Sequence, residues 1–299
     1  MQNEVIVWFD HHGRDLPWRR PGFTPWGSLV SEFMLQQTPV SRVIPRLEEW
    51  LERWPTPAAL AAASLGDAVR AWSNLGYPRR ALWLHACAVA IVEHHDGEVP
   101  SDVDALLALP GIGDYTARAI AVFAFGAHEP VVDTNIRRVI ARHEHGRSDQ
   151  EHPRARADLA DMRELLPSPD LSPTFNQAVM ELGSLVCTAK SPACDECPIA
   201  STCAWRNAGF PDTGAKGVPK QKKYEGSDRQ ARGAILAVLR DAPHPVSQVD
   251  METAWPASAQ RGRALTSLLA DGLIIAVEND MFSLPEEKGL AQTPSQLQG

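Results

Sequence analysis

Four cysteines of this 299-residue chain fall on one short stretch, as Cys187-x6-Cys194-x2-Cys197-x5-Cys203. Four thiolates on a compact loop ligate either a zinc ion or a [4Fe–4S] cluster, since both accept four sulfurs. Zinc ribbons usually supply two close pairs on separate knuckles. Here one C-x-x-C is flanked by lone cysteines, and Pro192 and Pro198 wrap the loop around something larger than one ion. The spacing points to a [4Fe–4S] cluster on Cys187, Cys194, Cys197 and Cys203, with zinc as the alternative. The fifth cysteine, Cys87, stands alone in an apolar run. The N-terminus has no basic region ahead of an apolar stretch, so the expected compartment is the cytoplasm, where a disulfide framework does not form.

Two carboxylates stand out by their neighbours. Asp133 follows Val131-Val132 and precedes Thr134-Asn135-Ile136. It suits the N-cap of a helix, and a carboxylate fixed in that way is also held as rigidly as catalysis needs. Both readings can hold together. Glu32 lies among Leu29, Val30, Phe33 and Met34, where burial should raise its pKa and make it a general acid near neutral pH. The plain alternative is a partly exposed helix glutamate paired with an arginine. In Leu109-Pro110-Gly111-Ile112-Gly113, Gly111 and Gly113 permit a tight hairpin whose amides hold a phosphate oxygen, although an ordinary helix–helix turn uses Pro and Gly similarly.

The cysteine spacing, the LPGIG hairpin and Asp133 together resemble the endonuclease III and helix-hairpin-helix superfamily of DNA glycosylases. Ser31-Glu32-Phe33-Met34-Leu35-Gln36-Gln37-Thr38, with Gly13–Arg19, Leu75-Gly76-Tyr77 and Phe175-Asn176-Gln177, is similar to its MutY branch over most of residues 4–205. The resemblance implies a [4Fe–4S] cluster of structural role and removal of adenine mispaired with 8-oxoguanine or guanine, in base excision repair. Glu32 would protonate the departing adenine, and Asp133 would stabilise positive charge on the deoxyribose. Bifunctional relatives place a lysine where this chain has Tyr115, and tyrosine forms no imine, so the resemblance is to the monofunctional branch. Gln36 and Gln37 would wedge into the space of the extruded nucleotide. Arg14, Trp18, Arg19, Asn135 and Gln177 would contact the adenine or the DNA, Trp18 being equally readable as a core aromatic. The alternatives are a thymine-from-T·G or endonuclease III-like enzyme, or a non-catalytic iron–sulfur DNA-binding regulator. The expected partner is mismatched double-stranded DNA, bound by a monomer in the cytoplasm of a bacterial-type cell, nucleoid-associated, with no membrane.

These groups must be positioned by helices. Apolar residues recur at three and four through 58–71, 82–92 and 117–125; 5–10, 32–40 and 41–54 also read as helices. The fold class is therefore all-α. On the resemblance it is two-lobed, with residues 1–22 and 129–210 forming a discontinuous cluster domain. Residues 23–128 would form a six-helix domain with the helix-hairpin-helix at 103–120, and Glu32 and Asp133 would converge from the two lobes. Residues 211–228 read as a basic linker and 286–299 as a disordered tail. Between them, 229–240, 246–255 and 259–270 read as helices followed by β-rich 273–277 and 281–284, the order of a winged helix. This stretch is far too short for the Nudix-related domain with which MutY proteins commonly end. Arg261-Gly262-Arg263 would open the groove-reading helix, unless the module only packs. The net charge of −8 is no advertisement for a DNA-binding protein, so cations must be local: Arg137, Arg138 and Arg142, and Lys216, Lys220, Lys222 and Lys223.

Overall fold

The computed structural model describes residues 1–148, 154–212, 223–278 and 280–285. Most of the basic linker and the whole of 286–299 lie outside the described residues. In chain order the helices are α1 Gln2–His12, α2 Pro25–Leu35, α3 Val40–Arg53, α4 Pro57–Ala61, α5 Leu65–Trp72, α6 Arg79–His94 and α7 Val103–Leu107. There follow α8 Asp114–Phe125, α9 Thr134–His143, α10 Ala155–Leu165, α11 Ser172–Leu185, α12 Ala204–Asn207, α13 Asp228–Asp241 and α14 Ser258–Ala270. Three short strands, β1 Val246–Ser247, β2 Ile275–Val277 and β3 Met281–Ser283, form an antiparallel sheet of order β1-β3-β2. The all-α reading with a small C-terminal module is correct. No helix among the described residues is long and apolar enough to cross a membrane.

The chain forms two compact units. The first takes Met1–Pro25, Ser101–Val103 and the chain from Gly113 into the linker; the second takes Trp26–Pro100, Asp104–Ile112 and the C-terminal module. In the first, α9 and α11 pack through Ile136, Val139, Phe175, Val179 and Leu182, and α1 adds Val5 to the same buried cluster. Gly183 brings α11 close to the start of α9: a Cβ there would lie 2.8 Å from the Cβ and carbonyl oxygen of Asn135.

In the second unit Trp50 meets Trp54 edge-on at 4.6 Å and Trp72 at 5.7 Å. Trp50 and Trp72 are buried, so truncating either to alanine would cost about 3–5 kcal/mol. The stretch 58–71, expected as one helix, is two. Thr56 caps α4 by accepting from the Ala59 amide, and Ser64 caps α5 by accepting from the Asp67 amide at 3.0 Å. A second capping serine inside an alanine-rich run starts a new helix in place of extending the old one.

The module departs from expectation in two places. Residues 246–255 are not a helix: Val246 and Ser247 pair with β3, and a turn follows. The Asp250 carboxylate accepts from the Ser247 amide at 3.0 Å and its hydroxyl at 2.7 Å, a local closure that competes with helical bonding. Arg261 does not reach outward either. It is buried, donating to the carbonyls of Trp255 and Pro256 and to Glu252 at 2.7 Å, while Arg263 pairs with Asp228 at 2.9 Å. The sheet is tied to α5 by the Gly66 amide, which donates to the Pro285 carbonyl at 2.6 Å.

Candidate active site

In the first unit Asp133 caps α9. Its Oδ1 accepts from the Ile136 amide at 2.7 Å and its Oδ2 from the Asn135 side-chain amide at 2.8 Å. Burial raises its pKa, an effect that these hydrogen bonds only partly offset. The backbone ahead of it is pinned by the buried Asn176, whose Oδ1 accepts from the Val131 amide at 2.8 Å. Asn135 continues the network. Its Oδ1 accepts from Arg138 at 2.7 Å, and Arg138 also donates to the carbonyls of Gly183 and Cys187, each at 2.6 Å.

A second cluster forms on α11. The Glu181 side chain, 1% exposed, accepts from the Arg14 Nε and Nη2 at 2.7 Å each, the Arg14 amide at 3.0 Å and Arg19 at 3.0 Å. Burial alone would raise the Glu181 pKa, but the bonds from Arg14 and Arg19 outweigh it and hold it at about 2. Arg19 also lies 5.1 Å over the Phe9 ring. Gln177 lies one turn before Glu181 on α11, half-buried, and Trp18 is half-buried in the short turn Pro17–Arg19. Tyr115, in the first turn of α8, packs against the buried Ala119, Val122 and Val131.

The sequence reading missed Glu181. Its signal is an acidic residue inside the otherwise apolar stretch Ala178-Val179-Met180-Glu181-Leu182. The basic cluster of the sequence is also spent internally: Arg138 and Arg142 are buried, and Arg137 pairs with Asp158 at 3.5 Å.

The second unit carries Glu32, Gln36, Gln37 and Gly111. Glu32 lies buried at mid-α2, between Ser31 and Phe33, themselves buried. Beyond α2 the chain is organised by Arg80, another residue the sequence does not single out. This buried guanidinium donates to the carbonyls of Phe33 at 2.7 Å, Gln36 at 2.6 Å and Gly76 at 2.9 Å, and to the Thr38 hydroxyl at 3.0 Å. It lies over the Trp72 and Tyr77 rings, and burial lowers its pKa to about 10. Gln36 is half-buried; Gln37 is exposed with φ 54°. Gly111 has φ 76°, and a Cβ there would meet Trp83 and Phe33 within 3 Å. Gly113, in the first unit, is the N-cap residue of α8, whose first-turn amides have no intrahelical partner.

Cys187, Cys194, Cys197 and Cys203 are all half-buried on the loop after α11. Burial raises the pKa of Cys194 and takes Cys197 to about 11, and the charges of Cys187 and Cys203 push both further in the same direction. Four thiols close enough to oppose one another's ionisation form a donor set that a resident cationic group relieves. Among the described residues no three Cys, His, Asp or Glu side chains gather as a single-ion site. Arg142 braces the loop, donating to the Cys187 sulfur at 3.4 Å and the Thr188 carbonyl at 2.8 Å, with Trp205 against its guanidinium at 4.7 Å. The donor set fits an iron–sulfur cluster.

Comparison with known proteins agrees. Residues 30–164 match the HhH-GPD superfamily base excision DNA repair proteins, and residues 187–203 match the iron–sulfur binding domain of endonuclease III. The cysteine loop therefore carries a [4Fe–4S] cluster. The chain is 54% identical over 286 residues to an adenine DNA glycosylase of Mycolicibacterium smegmatis, covering 95% of this chain and 96% of that one. It is 51% identical over 285 residues to an adenine DNA glycosylase of Mycobacterium tuberculosis, covering 95% and 93%. A solved thermostable thymine-DNA glycosylase superposes with a TM-score of 0.64 at 25% identity, covering 69% of this chain and 94% of that one. The chain belongs to the adenine DNA glycosylases of the HhH-GPD base excision repair superfamily.

Proposed function

We propose that this protein removes adenine mispaired with 8-oxoguanine or guanine from duplex DNA by hydrolysis of the N-glycosidic bond. The observation that carries the reading is Asp133, a carboxylate locked by the Ile136 amide and Asn135 at a helix N-terminus, with its pKa raised by burial. Adenine is a poor leaving group unless protonated. Glu32, buried on α2, donates the proton to N7 of the flipped purine. The glycosidic bond then breaks, and its electrons leave with the base. The Asp133 carboxylate stabilises the oxocarbenium-like sugar, and water adds at the anomeric carbon, its released proton restoring the Glu32 acid.

Tyr115 offers no amine, so the strand stays intact and the product is an abasic site. Arg14 and Arg19, held in the Glu181 cluster, and Trp18 and Gln177 beside them line the place of the adenine; Asn135 orients Asp133. Gln36 and Gln37 fill the vacated position in the stack, and Gly111 and Gly113 hold a phosphate. The protein acts as a monomer, in the cytoplasm and on the nucleoid. The cluster supplies structural order to the loop after α11, and no step of the reaction passes through it.

The test is single-turnover excision on otherwise identical duplexes carrying A·8-oxoG, A·G, A·C, T·G and A·T. Excision should be fastest on the first two, without borohydride trapping. Preferential removal of thymine from T·G would overturn the reading.

A further inference from the structure

Arg142, near the end of α9, is a buried cation that meets no carboxylate among the described residues. Its guanidinium donates instead to neutral carbonyls: Nε to Ser148 at 2.9 Å, Nη1 to Thr188 at 2.8 Å and Nη2 to Ala189 at 3.2 Å. The Trp205 ring covers it at 4.7 Å. These acceptors satisfy the N–H groups but leave the charge uncompensated, and a buried charge is costly unless something of opposite sign stands nearby.

The opposite sign is supplied by sulfur. Nη1 of Arg142 also donates to the Cys187 Sγ at 3.4 Å, and the Arg142 carbonyl accepts from the Cys203 thiol at 3.6 Å. One residue thus touches the first and the last of the four cluster cysteines. A second cation on the loop is already spoken for: Arg206 pairs with the exposed Asp195 at 3.2 Å. Four thiolates around an iron–sulfur core leave the loaded loop anionic, and hydrogen bonds to the sulfurs and nearby charge set the potential of such a cluster.

We propose that Arg142 is the counter-cation of the iron–sulfur cluster and sets its reduction potential, besides bracing the loop. A cation and an N–H···S bond favour the more negative, reduced state over the oxidised one. Arg142 therefore raises the potential and makes it harder for the resident cluster to lose an electron. The role concerns how long the cofactor persists, and it stands whichever base the protein excises.

The experiment measures the midpoint potential of the full-length, cluster-loaded protein by voltammetry, together with the rate of iron release to a chelator in air. Arg142→Gln removes the charge. It should shift the one-electron equilibrium towards the oxidised cluster by about tenfold, a potential lower by about 59 mV, and iron should leave several-fold faster. Arg142→Lys keeps the charge and should hold that equilibrium within about threefold of wild type, although losing the planar fork of carbonyl bonds lowers folded yield. Arg206→Ala, which removes a cation already paired with a carboxylate, should move neither quantity. An unchanged potential in Arg142→Gln, an equal shift in Arg142→Lys, or the same shift in Arg206→Ala would overturn the proposal. One measurement needs no variant to fold: electron–nuclear double resonance on wild-type protein carrying nitrogen-labelled arginine, after one-electron oxidation of the cluster. A guanidinium nitrogen coupled to the cluster is expected, and finding none would overturn the proposal equally.

Discussion

The side-chain amide of Asn135 donates a 2.8 Å hydrogen bond to the carboxylate of Asp133, two residues earlier in the chain. Its own carbonyl accepts from Arg138, and Arg138 reaches the Cys187 backbone, so Asp133 is linked by three successive bonds to the first cysteine of the cluster loop. The orientation of the carboxylate is thus set by α9 itself and by the loop that the cluster holds in shape.

Asp133→Asn should abolish excision, by at least about a hundredfold in the single-turnover rate, because the carboxamide carries no charge for the sugar. The fold should not suffer, since asparagine also caps helices well. Burial places the folded pKa of Asp133 above its unfolded value, so ionising the group at neutral pH works against folding. The penalty is absent below the unfolded pKa and complete once pH exceeds the folded one. The variant should therefore match or exceed wild-type stability at neutral pH and lose that advantage in acid. Urea melts at two pH values measure this, and a large destabilisation at neutral pH would contradict it.

Wild-type excision should fail in acid sooner than an ordinary aspartate would predict. In the proposed reaction Asp133 acts ionised, and its pKa is raised, so the rate should fall as pH drops through a value above 3.8. A pH–rate profile under single-turnover conditions reads this directly. A profile flat to the usual aspartate range would argue against Asp133 as the charge-bearing group.

Glu181→Gln should destabilise the first unit by about 1–3 kcal/mol, because Arg14 and Arg19 lose their shared anion. The pH dependence has the opposite sign to that of Asp133. A folded pKa of about 2 against 4.5 means that stabilisation is full above 4.5 and is lost as pH falls through about 2. The wild type should lose stability in that window and the variant much less. Thermal melts across the window, wild type against variant, decide the matter.

Arg80→Met should cost about 2–4 kcal/mol, since several buried carbonyls at once lose the donor they share. Gln36 and Gln37 lose their brace with it, so mismatch affinity should weaken more than the loss of folded protein explains. Anisotropy on the folded fraction tests this. An affinity equal to wild type would limit Arg80 to holding the core.

Purified protein should be yellow-brown with about four irons per chain. Cys194→Ser should lower both iron content and folded yield before it alters the chemistry of the protein that remains folded. One zinc and no iron in elemental analysis would be incompatible with the cysteine assignment.

Much of this was legible in the sequence because the signals are local. Cysteine spacing is read from one loop, and Asp133 announces itself as a cap by what stands before and after it. The arginines were misleading for the converse reason. A sequence displays the charge of Arg138, Arg142 and Arg261 but not the carbonyls and carboxylates that fold onto them from residues far along the chain. The stretch 246–255 misled differently: Val246–Val249 and Met251–Trp255 are three and four apart, each a helical spacing, but the step of two between the pairs puts them on opposite sides of a helix. The observed strand and turn carry the pairing of Val246 and Ser247 with β3 and the Ser247–Asp250 contact, neither visible in the spacing.

The bond from the Gly66 amide to the Pro285 carbonyl joins two points far apart in the chain. Arg240 repeats the connection at Ser73. The second unit is thus assembled from segments made early and late, with most of the first unit synthesised in between. On a ribosome, α2 to α6 emerge long before the strand and helix that finish their packing. The early helices must wait with apolar surface uncovered, while the first unit gains its cysteine loop and can close. Order of synthesis and order of completion are therefore inverted, and substitutions that weaken the α5–module contact should show first as poor yield during expression, ahead of any loss in the activity of the protein recovered.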